Sequence, residues 1–485
     1  MASILLQFPP PPRRSYVTVF EQDGLMREGP ESLPISSPLN YPEINIQSEP
    51  ENRATAHCEN AEMAFLSYGQ GPWKQAFKIW SEKGLLHMLA TVLPLPTALS
   101  SVCKRTLQKL ADLKELLYPN SSLSTTELLS KYTHVSNWTK SPVQALAWHP
   151  CIPKVAVALR DSSVRVFSLN NSLSPLLKHR LQRQVIDLAW QPLSSSVLAV
   201  ACQSCVLIWH VEPTSLASRP SSSCVQILQF SGHNPVTSLV WTPSGDRLIS
   251  ASPLHASIIV WDVPKEQGIP LRSNTRGGVP LLACSPDGAK LFTGAMSPLF
   301  RIWETHRWTW EVWSGLSGCC KVACWSPDGS VLFFAMEEDS TLYAIKFRED
   351  FRGKKDAQST AGTSVPLADL SQVSISCDSG PDIVTGGEIR SLAWDETGER
   401  LAVMFEPDAM GNNHVVAVFK VAVHPVLELL PSGFVKGRSG ESVHHIAFAP
   451  NFRNGALLSV VWSSGRISYV PMHFIPAPRI LHNYL

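Results

Sequence analysis

The sequence predicts an all-β fold, a seven-bladed β-propeller over residues 139–475, preceded by an extended arm and a short helical segment. Three observations lead to this prediction: a motif that recurs seven times, a second motif that follows each copy at a similar distance, and turn residues between them. The chain of 485 residues is longer than an ordinary domain. A ring of repeats, however, places such a length in one fold.

The first motif is an apolar pair followed by an aromatic residue and, usually, proline, as in Leu146-Ala-Trp148-His-Pro150. Its copies are 41 to 69 residues apart, and three of the six steps lie within one residue of 42, a spacing typical of one four-stranded blade. Its anchor positions are Trp148, Trp190, Trp241, Cys284, Trp325, Trp394 and Phe448.

The second motif is an alternating strand that ends in an aromatic residue, as in Ile258-Ile-Val-Trp261-Asp262. The second motif follows the first at a similar distance in each copy. This pairing indicates WD repeats, in which each blade buries its faces only against its neighbours in a ring. We therefore expect large aromatic side chains to fill the space between blades. The predicted structural anchors are Trp148, Trp190, Trp209, Trp241, Trp261, Trp303, Trp325 and Trp394.

The repeats depart from the ideal WD pattern. Only the third combines Gly232-His233 at its start with Trp261-Asp262 at its end, and His255 stands where aspartate is usual. The His–Ser–Trp–Asp hydrogen-bond set is therefore expected to be incomplete. We expect the helical segment or partner proteins to help stabilise the ring.

The flanking segments differ in composition from the repeats. Residues 1–60 are rich in proline and predict an extended arm, with a strand pattern at 16–20, and apolar spacing predicts a helical segment over 61–138. Residues 349–387 show no strand pattern and predict a mobile insertion, and 476–485 form a tail. The last blade is closed either by the strand at 16–20 or by residues 469–475, and the sequence does not decide between them.

Charge and cysteine patterns argue against several functions. Lys and Arg number 41 and Asp and Glu 40, so no basic footprint indicates nucleic acid. The densest basic patch, Lys178, Arg180 and Arg183, is either a solvated loop or a site for an acidic partner surface. Cys202-Gln-Ser-Cys205 has metal-ligand spacing, but no second such pair completes a site, so we expect free thiols and no metal.

No phosphate-binding loop or nucleophile elbow occurs in the sequence. Asp328 and Glu337 are candidates for a propeller hydrolase, but Asp328 lies in a Pro-Asp-Gly turn and Glu337 in an acidic hairpin. We therefore predict a protein that is not an enzyme and needs no cofactor. A hydrolase is the remote alternative.

Several stretches resemble the aladin family of WD-repeat nucleoporins. The most specific are Lys178-His-Arg-Leu-Gln-Arg183, Leu188-Ala-Trp-Gln-Pro-Leu193 and Ser196-Val-Leu-Ala-Val-Ala-Cys-Gln-Ser-Cys205. Phe8-Pro-Pro-Pro-Pro12 and Gly455-Ala-Leu-Leu-Ser-Val460 match as well, so the resemblance covers most of the chain in order.

The resemblance implies a non-enzymatic scaffold of the nuclear pore complex. It implies protein partners, including a transmembrane nucleoporin that holds the chain at the pore membrane, with no direct contact to membrane or nucleic acid. It also implies roles in nucleocytoplasmic transport, above all protein import, and in mitotic spindle assembly, with the chain as a monomer within a symmetric assembly. The alternative is a WD-repeat adaptor in another soluble complex.

Overall fold

The structure is a computed structural model that describes residues 3–13, 15–22, 24–31, 43–46, 125–168, 174–211, 219–272, 277–347, 364–375, 383–407, 414–423 and 425–474. The chain divides into two compact units, one of Met1–Ile46 with Tyr132–Leu485 and one of Gln47–Lys131. Residues 125–131 are the described part of the second unit and belong to an α-helix, Thr125–Tyr132. The helical stripes expected between residues 73 and 117 lie outside the described residues.

Seven sheets form a closed ring, which confirms the predicted fold. In each blade the first strand is innermost, because the seven first strands contact one another in succession and the last contacts the first. From blade 1 to blade 7 the inner strands are Val143–Trp148, Asp187–Trp190, Ser238–Trp241, Leu281–Cys284, Cys320–Trp325, Ile389–Trp394 and Val443–Ala449. The second strands are Lys154–Leu159, Val197–Ala201, Leu248–Ala251, Lys290–Gly294, Val331–Met336, Arg400–Phe405 and Gly455–Trp462.

The third strands are Val164–Ser168, Val206–His210, Ser257–Asp262, Leu299–Glu304, Thr341–Lys346, Val415–Ala422 and Arg466–His473. The outer strands of blades 1 to 6 are Leu176–Leu177, Val225–Leu228, Gln267–Arg272, Thr309–Ser314, Val365–Asp369 and Glu428–Lys436. Short 3₁₀ helices lie at Ile4–Gln7, Ser222–Cys224 and Val263–Lys265.

Glycine makes the tight turn between the first and second strands in four blades. Gly245, Gly288, Gly329 and Gly398 all have φ between 72° and 82°, where a side chain would be strained. In each turn the glycine N–H donates to the carbonyl three residues earlier. The turn signals in the sequence therefore mark real hairpins.

The core lies between blades rather than inside any one of them. Every residue of Val331–Met336 in blade 5 is buried, as is every residue of Arg400–Phe405 in blade 6. Because both faces of these second strands carry buried side chains, a single blade cannot form a core by itself.

The N-terminal arm completes blade 7. Arg466–His473 is the third strand of that blade, and two arm segments pair with its outer edge. Ile44–Asn45 runs antiparallel to its beginning, and Tyr16–Gln22 runs parallel to its end, where Glu21 pairs with Met472. Tyr16–Gln22 also forms a hairpin with Leu25–Pro30. Of the two closures left open by the sequence, the structure has one from the N-terminus, but it is made by Glu21, Gln22 and Ile44–Asn45 rather than by residues 16–20.

The prediction of a strandless insertion over 349–387 is wrong for its described part. Val365–Asp369 is the outer strand of blade 5, and Val373–Ile375 pairs with Ile383–Thr385 in a separate hairpin. These strands are short and half-exposed, so their side chains lack the apolar run that reveals the buried strands.

The helical segment also ends earlier than predicted. The helix stops at Tyr132, and residues 133–138 form turns instead. This stretch belongs to the same compact unit as the propeller, and its contacts with the ring, described below, replace the hydrogen bonds of a helix.

Candidate interaction surfaces

Four inner-strand tryptophans link each of their blades to the preceding one. A buried indole N–H needs an acceptor, and here it finds one across the blade interface. The pairs are Trp148 with Ser459 Oγ (2.9 Å), Trp190 with Ala147 O (3.1 Å), Trp241 with Ala189 O (3.1 Å) and Trp325 with Ala283 O (3.0 Å). Trp394 differs: its ring stacks on Phe333 of blade 5 at 4.3 Å, and its Nε1 donates within its own blade.

In blade 3 a third-strand tryptophan closes a polar network. Trp261 Nε1 donates to Ser250 Oγ at 2.8 Å, and His233 Nε2 lies 2.8 Å from the same oxygen. His255 Nδ1 is 2.9 Å from Ser257 O and 3.2 Å from His233 Nδ1. Since a carbonyl only accepts, His255 Nδ1 carries the proton and His233 Nδ1 accepts. The set expected to be incomplete is therefore closed, with a histidine in place of aspartate.

In blades 2 and 4, which flank blade 3, the indole N–H of the third-strand tryptophan donates to a different type of acceptor. Trp209 Nε1 donates to Gln182 Oε1 (3.1 Å), and Trp303 Nε1 donates to Thr293 Oγ1 (3.1 Å). Gln182 in turn donates to the carbonyls of Ser162 and Leu177. Sequence reasoning missed Gln182 because its signal is a single glutamine inside a basic stretch.

The N-terminal arm also packs on blade 6. Arg400 Nε and Nη2 donate to the Glu21 carboxylate at 2.7–3.1 Å, and both side chains are fully buried. The ring of Phe8 lies 5.0 Å from that of Phe419 and 4.6 Å from that of Phe434. The proline-rich arm is thus an integral part of the propeller.

Residues 132–141 contact the ring at one mouth of the central channel. We call it the start-side mouth, because the inner strands begin there. The contacts are to the first residues of the inner strands of blades 6 and 7. Arg390 Nη2 donates to Val135 O (3.1 Å), and the Ser136 N–H donates to His444 O (2.8 Å).

Three histidines lie at this contact: His134 within the segment, and His444 and His445 at the start of the blade 7 inner strand. Burial lowers the pKa of His444 to about 4, and burial together with the nearby Arg390 lowers the pKa of His134 to about 4. Burial, and then the charge of His134, lower the pKa of His445 to about 4. With pKa values this low, these histidines are neutral at pH 7, and His444 Nδ1 lies 2.8 Å from Ser141 Oγ.

The opposite mouth, where the inner strands end, has apolar walls. We call it the end-side mouth. It holds a cavity of about 440 Å³. Aromatic and proline side chains supply most of its lining: Trp148, Trp190, Trp241, Phe448, Pro150 and Pro192.

A larger groove of about 940 Å³ lies at the same side of the ring on blades 2 to 4. It shares Trp241 with the end-side mouth. Its wall carries an ion pair between Arg247 Nη1 and Asp262 Oδ2 (2.9 Å), with Lys265 Nζ 3.1 Å from the same oxygen. The end side therefore combines apolar and charged surface, as protein interfaces do.

The structure places Lys178, Arg180 and Arg183 on one exposed loop before the inner strand of blade 2. Lys178 Nζ lies 3.4 Å from Asp161 Oδ2, which partly neutralises it. Gln182, between the two arginines, is the buried residue that anchors the loop. The patch is thus a solvent-facing basic surface on a fixed loop.

The residues considered as metal ligands or catalytic groups have structural roles in the fold. Cys202 and Cys205 are buried free thiols in a hairpin. Asp328 accepts hydrogen bonds from Ser326 and Ser330 in its turn. Burial alone would raise the pKa of Asp328, but these hydrogen bonds lower it. Among the described residues, no three His, Cys, Asp or Glu side chains are placed to hold a metal ion.

Across the described ranges, no helix combines the length and apolar character needed to cross a membrane. The ring of linked blades defines a seven-bladed β-propeller.

Residues 124–473 match the family model described as the Aladin seven-bladed propeller, and the chain belongs to the aladin family. It is 28% identical over 392 residues to Aladin of Arabidopsis thaliana, covering 76% of this chain and 81% of that protein. It is 25% identical over 222 residues to Protein HIR1 of Mycosarcoma maydis, covering 40% of this chain and 22% of that protein.

Among solved structures, the chain is similar to the β-propeller domain of Cps50 (Swd1) from Myceliophteria thermophila, with a TM-score of 0.51 and 15% identity. That match covers 69% of this chain and 97% of the other. At this identity it bears on the fold alone.

Proposed function

We propose that this protein is a non-enzymatic docking subunit of the nuclear pore complex, held at the pore membrane by a transmembrane nucleoporin. The observation that carries the proposal is membership of the aladin family across the whole propeller, residues 124–473. In this role the chain supports nucleocytoplasmic transport, above all protein import, and takes part in mitotic spindle assembly.

The geometry supports docking. Residues 132–141 are hydrogen-bonded to the start-side ends of blades 6 and 7, whereas the end-side mouth has an apolar lining beside the groove on blades 2 to 4. Apolar pockets surrounded by polar groups are where partner side chains gain most binding energy. The end side is therefore the surface that we assign to a structural partner.

The alternative is a WD-repeat adaptor in another complex, a role that the same propeller surfaces support. Location separates the two functions. A chain tagged with a fluorescent protein should give a punctate signal at the nuclear rim of interphase cells. A diffuse signal from the intact chain contradicts the pore role and favours the adaptor.

A deletion variant then locates the anchor. Removal of the whole N-terminal region would also remove the arm that completes blade 7, so the informative variant replaces Gln47–Lys131 with a flexible linker and keeps Met1–Ile46. A rim signal that persists in this variant places the anchor on the propeller. Its loss, with the variant still folded, places the anchor on the deleted unit.

The basic patch provides a second test. Replacing Lys178, Arg180 and Arg183 with glutamate should weaken the rim signal if an acidic partner surface docks there. The matched control replaces three exposed basic residues outside the end-side groove with glutamate: Arg272, Lys346 and Lys420. Equal effects of the two triple variants would show a response to net charge and remove the patch as a docking site.

A further inference from the structure

The outer strand of blade 4, Thr309–Ser314, is an unprotected sheet edge. In the part of the chain that the structure describes, no strand pairs with its outer side. Such an edge presents backbone N–H and C=O groups to any extended chain, and proteins usually shield it by shortening, proline, charge or covering.

The other outer edges of the ring carry these protections. Those of blades 1 and 2 have two and four residues. Proline interrupts those of blades 3 and 5, at Pro270 and Pro366. The blade 6 edge contains Pro431 and contacts the arm strand Leu25–Pro30, and blade 7 pairs with arm segments. The blade 4 edge has six residues and no proline, its one charged residue is Glu311, and no strand within the described ranges covers it.

The side chains on this edge are apolar to an unusual degree for an exposed strand. Trp310 is 40% exposed and Val312 is 44% exposed, and both lie on one face because alternate residues do. The buried Arg301 lies under Trp310, 4.9 Å from its ring centroid, and holds the indole in place. Glu311, exposed between them, points to the opposite face and is the acidic group on this strand.

We propose that this edge binds an extended segment of a protein partner by strand addition. Apolar side chains of the segment lie beside Trp310 and Val312, and a basic side chain lies beside Glu311. The ring already uses this mode within its own chain, because Ile44–Asn45 adds to the edge of blade 7.

A second copy of the chain fits this edge less well. Six strand residues span about 20 Å, and a pair of such strands buries less than the roughly 1,000 Å² of a stable interface. An extended peptide forms the same main-chain hydrogen bonds along the edge without a second folded surface that must fit beside them. The inference concerns a surface that the proposed pore role does not use, and it is tested on the purified chain.

The probe is a fluorescent acetylated peptide that repeats Lys-Val, titrated with the purified full-length chain in a polarisation assay. We expect saturable binding and increased protection of the Thr309–Ser314 amides from hydrogen exchange. The same peptide with all its backbone amides N-methylated should not bind, because strand addition requires its N–H groups. Equal binding of the methylated peptide, or no binding of the unmodified one, would overturn the proposal.

Matched variants locate the site. Val312→Lys should weaken binding by about tenfold or more, whereas Ile269→Lys, at a similarly exposed position of the blade 3 edge, should change it by less than about twofold. Equal losses in the two variants would contradict the assignment. Both positions are exposed, and a thermal melt checks that each variant folds.

Glu311→Lys gives a reading that does not depend on the apolar contacts. It should weaken binding of the Lys-Val peptide by about tenfold and allow binding of a Glu-Val peptide. Sedimentation completes the test: a concentration-dependent dimer that Val312→Lys abolishes would assign the edge to a second copy and refute the peptide site.

Discussion

The ion pair between Glu21 and Arg400 joins residues from the two ends of the propeller, and Glu21→Gln tests its contribution. Glu21 is 0% exposed and Arg400 is 2% exposed, and three hydrogen bonds connect them. The variant leaves a buried guanidinium with the carbonyl of Glu399 at 3.1 Å and the ring of Phe474 at 4.3 Å. Removing one partner of a buried pair costs about 3–5 kcal/mol. We expect about 3 kcal/mol, since the Glu399 carboxylate compensates in part.

Urea denaturation of the full chain, followed by tryptophan fluorescence, measures this loss of unfolding free energy. The double variant Glu21→Leu with Arg400→Met should be within about 2 kcal/mol of the original, because apolar replacement of a buried pair is often neutral. Lys178→Gln, which removes the exposed pair with Asp161, should cost less than about 1 kcal/mol. A loss below about 1 kcal/mol for Glu21→Gln would show that the arm is not a structural part of the ring.

Three further predictions concern the blades. Trp241→Ala should cost about 3–5 kcal/mol in the same assay, because the indole is 6% exposed and bonded across a blade interface, and a loss below about 1 kcal/mol would contradict the register. Ser250→Ala should cost about 1–3 kcal/mol, because Trp261 and His233 both lose their partner, and unchanged stability would refute the network. Burial and then His255 lower the folded pKa of His233 to about 3, from 6.5 when unfolded. Its contribution to stability is therefore full above pH 6.5 and falls as the pH drops toward 3, so His233→Gln should flatten the loss of stability measured across that range.

The number of blades and their register follow from the sequence because the signals are local. An inner strand and its hairpin occupy about twenty neighbouring residues, and their apolar pattern and turn glycines are read directly. Trp148, Trp190, Trp241 and Trp325 were expected between blades, and the structure gives each an acceptor in the preceding blade.

The outer strand of blade 5 could not be predicted in the same way. Val365–Asp369 is short, contains Pro366 and is half-exposed, so its sequence resembles a loop. Its pairing with Thr341–Lys346 depends on an edge that the rest of the blade provides. Gln182 was missed for the same reason. Its hydrogen bond with Trp209 exists only because the tertiary structure brings the two side chains together.

By itself, the sequence determined a ring of seven WD-type blades, the positions of their tryptophans and the family to which the chain belongs. Only the tertiary structure decided how the ring closes, where residues 132–141 contact it and which outer edge is left unpaired by the described strands. Each of these depends on contacts between distant segments, such as Glu21 with Arg400 and Ile44 with Ile467. A local sequence pattern does not reveal such contacts, because the residues around Glu21 or Ile44 are the same whether or not the distant partner lies close in space.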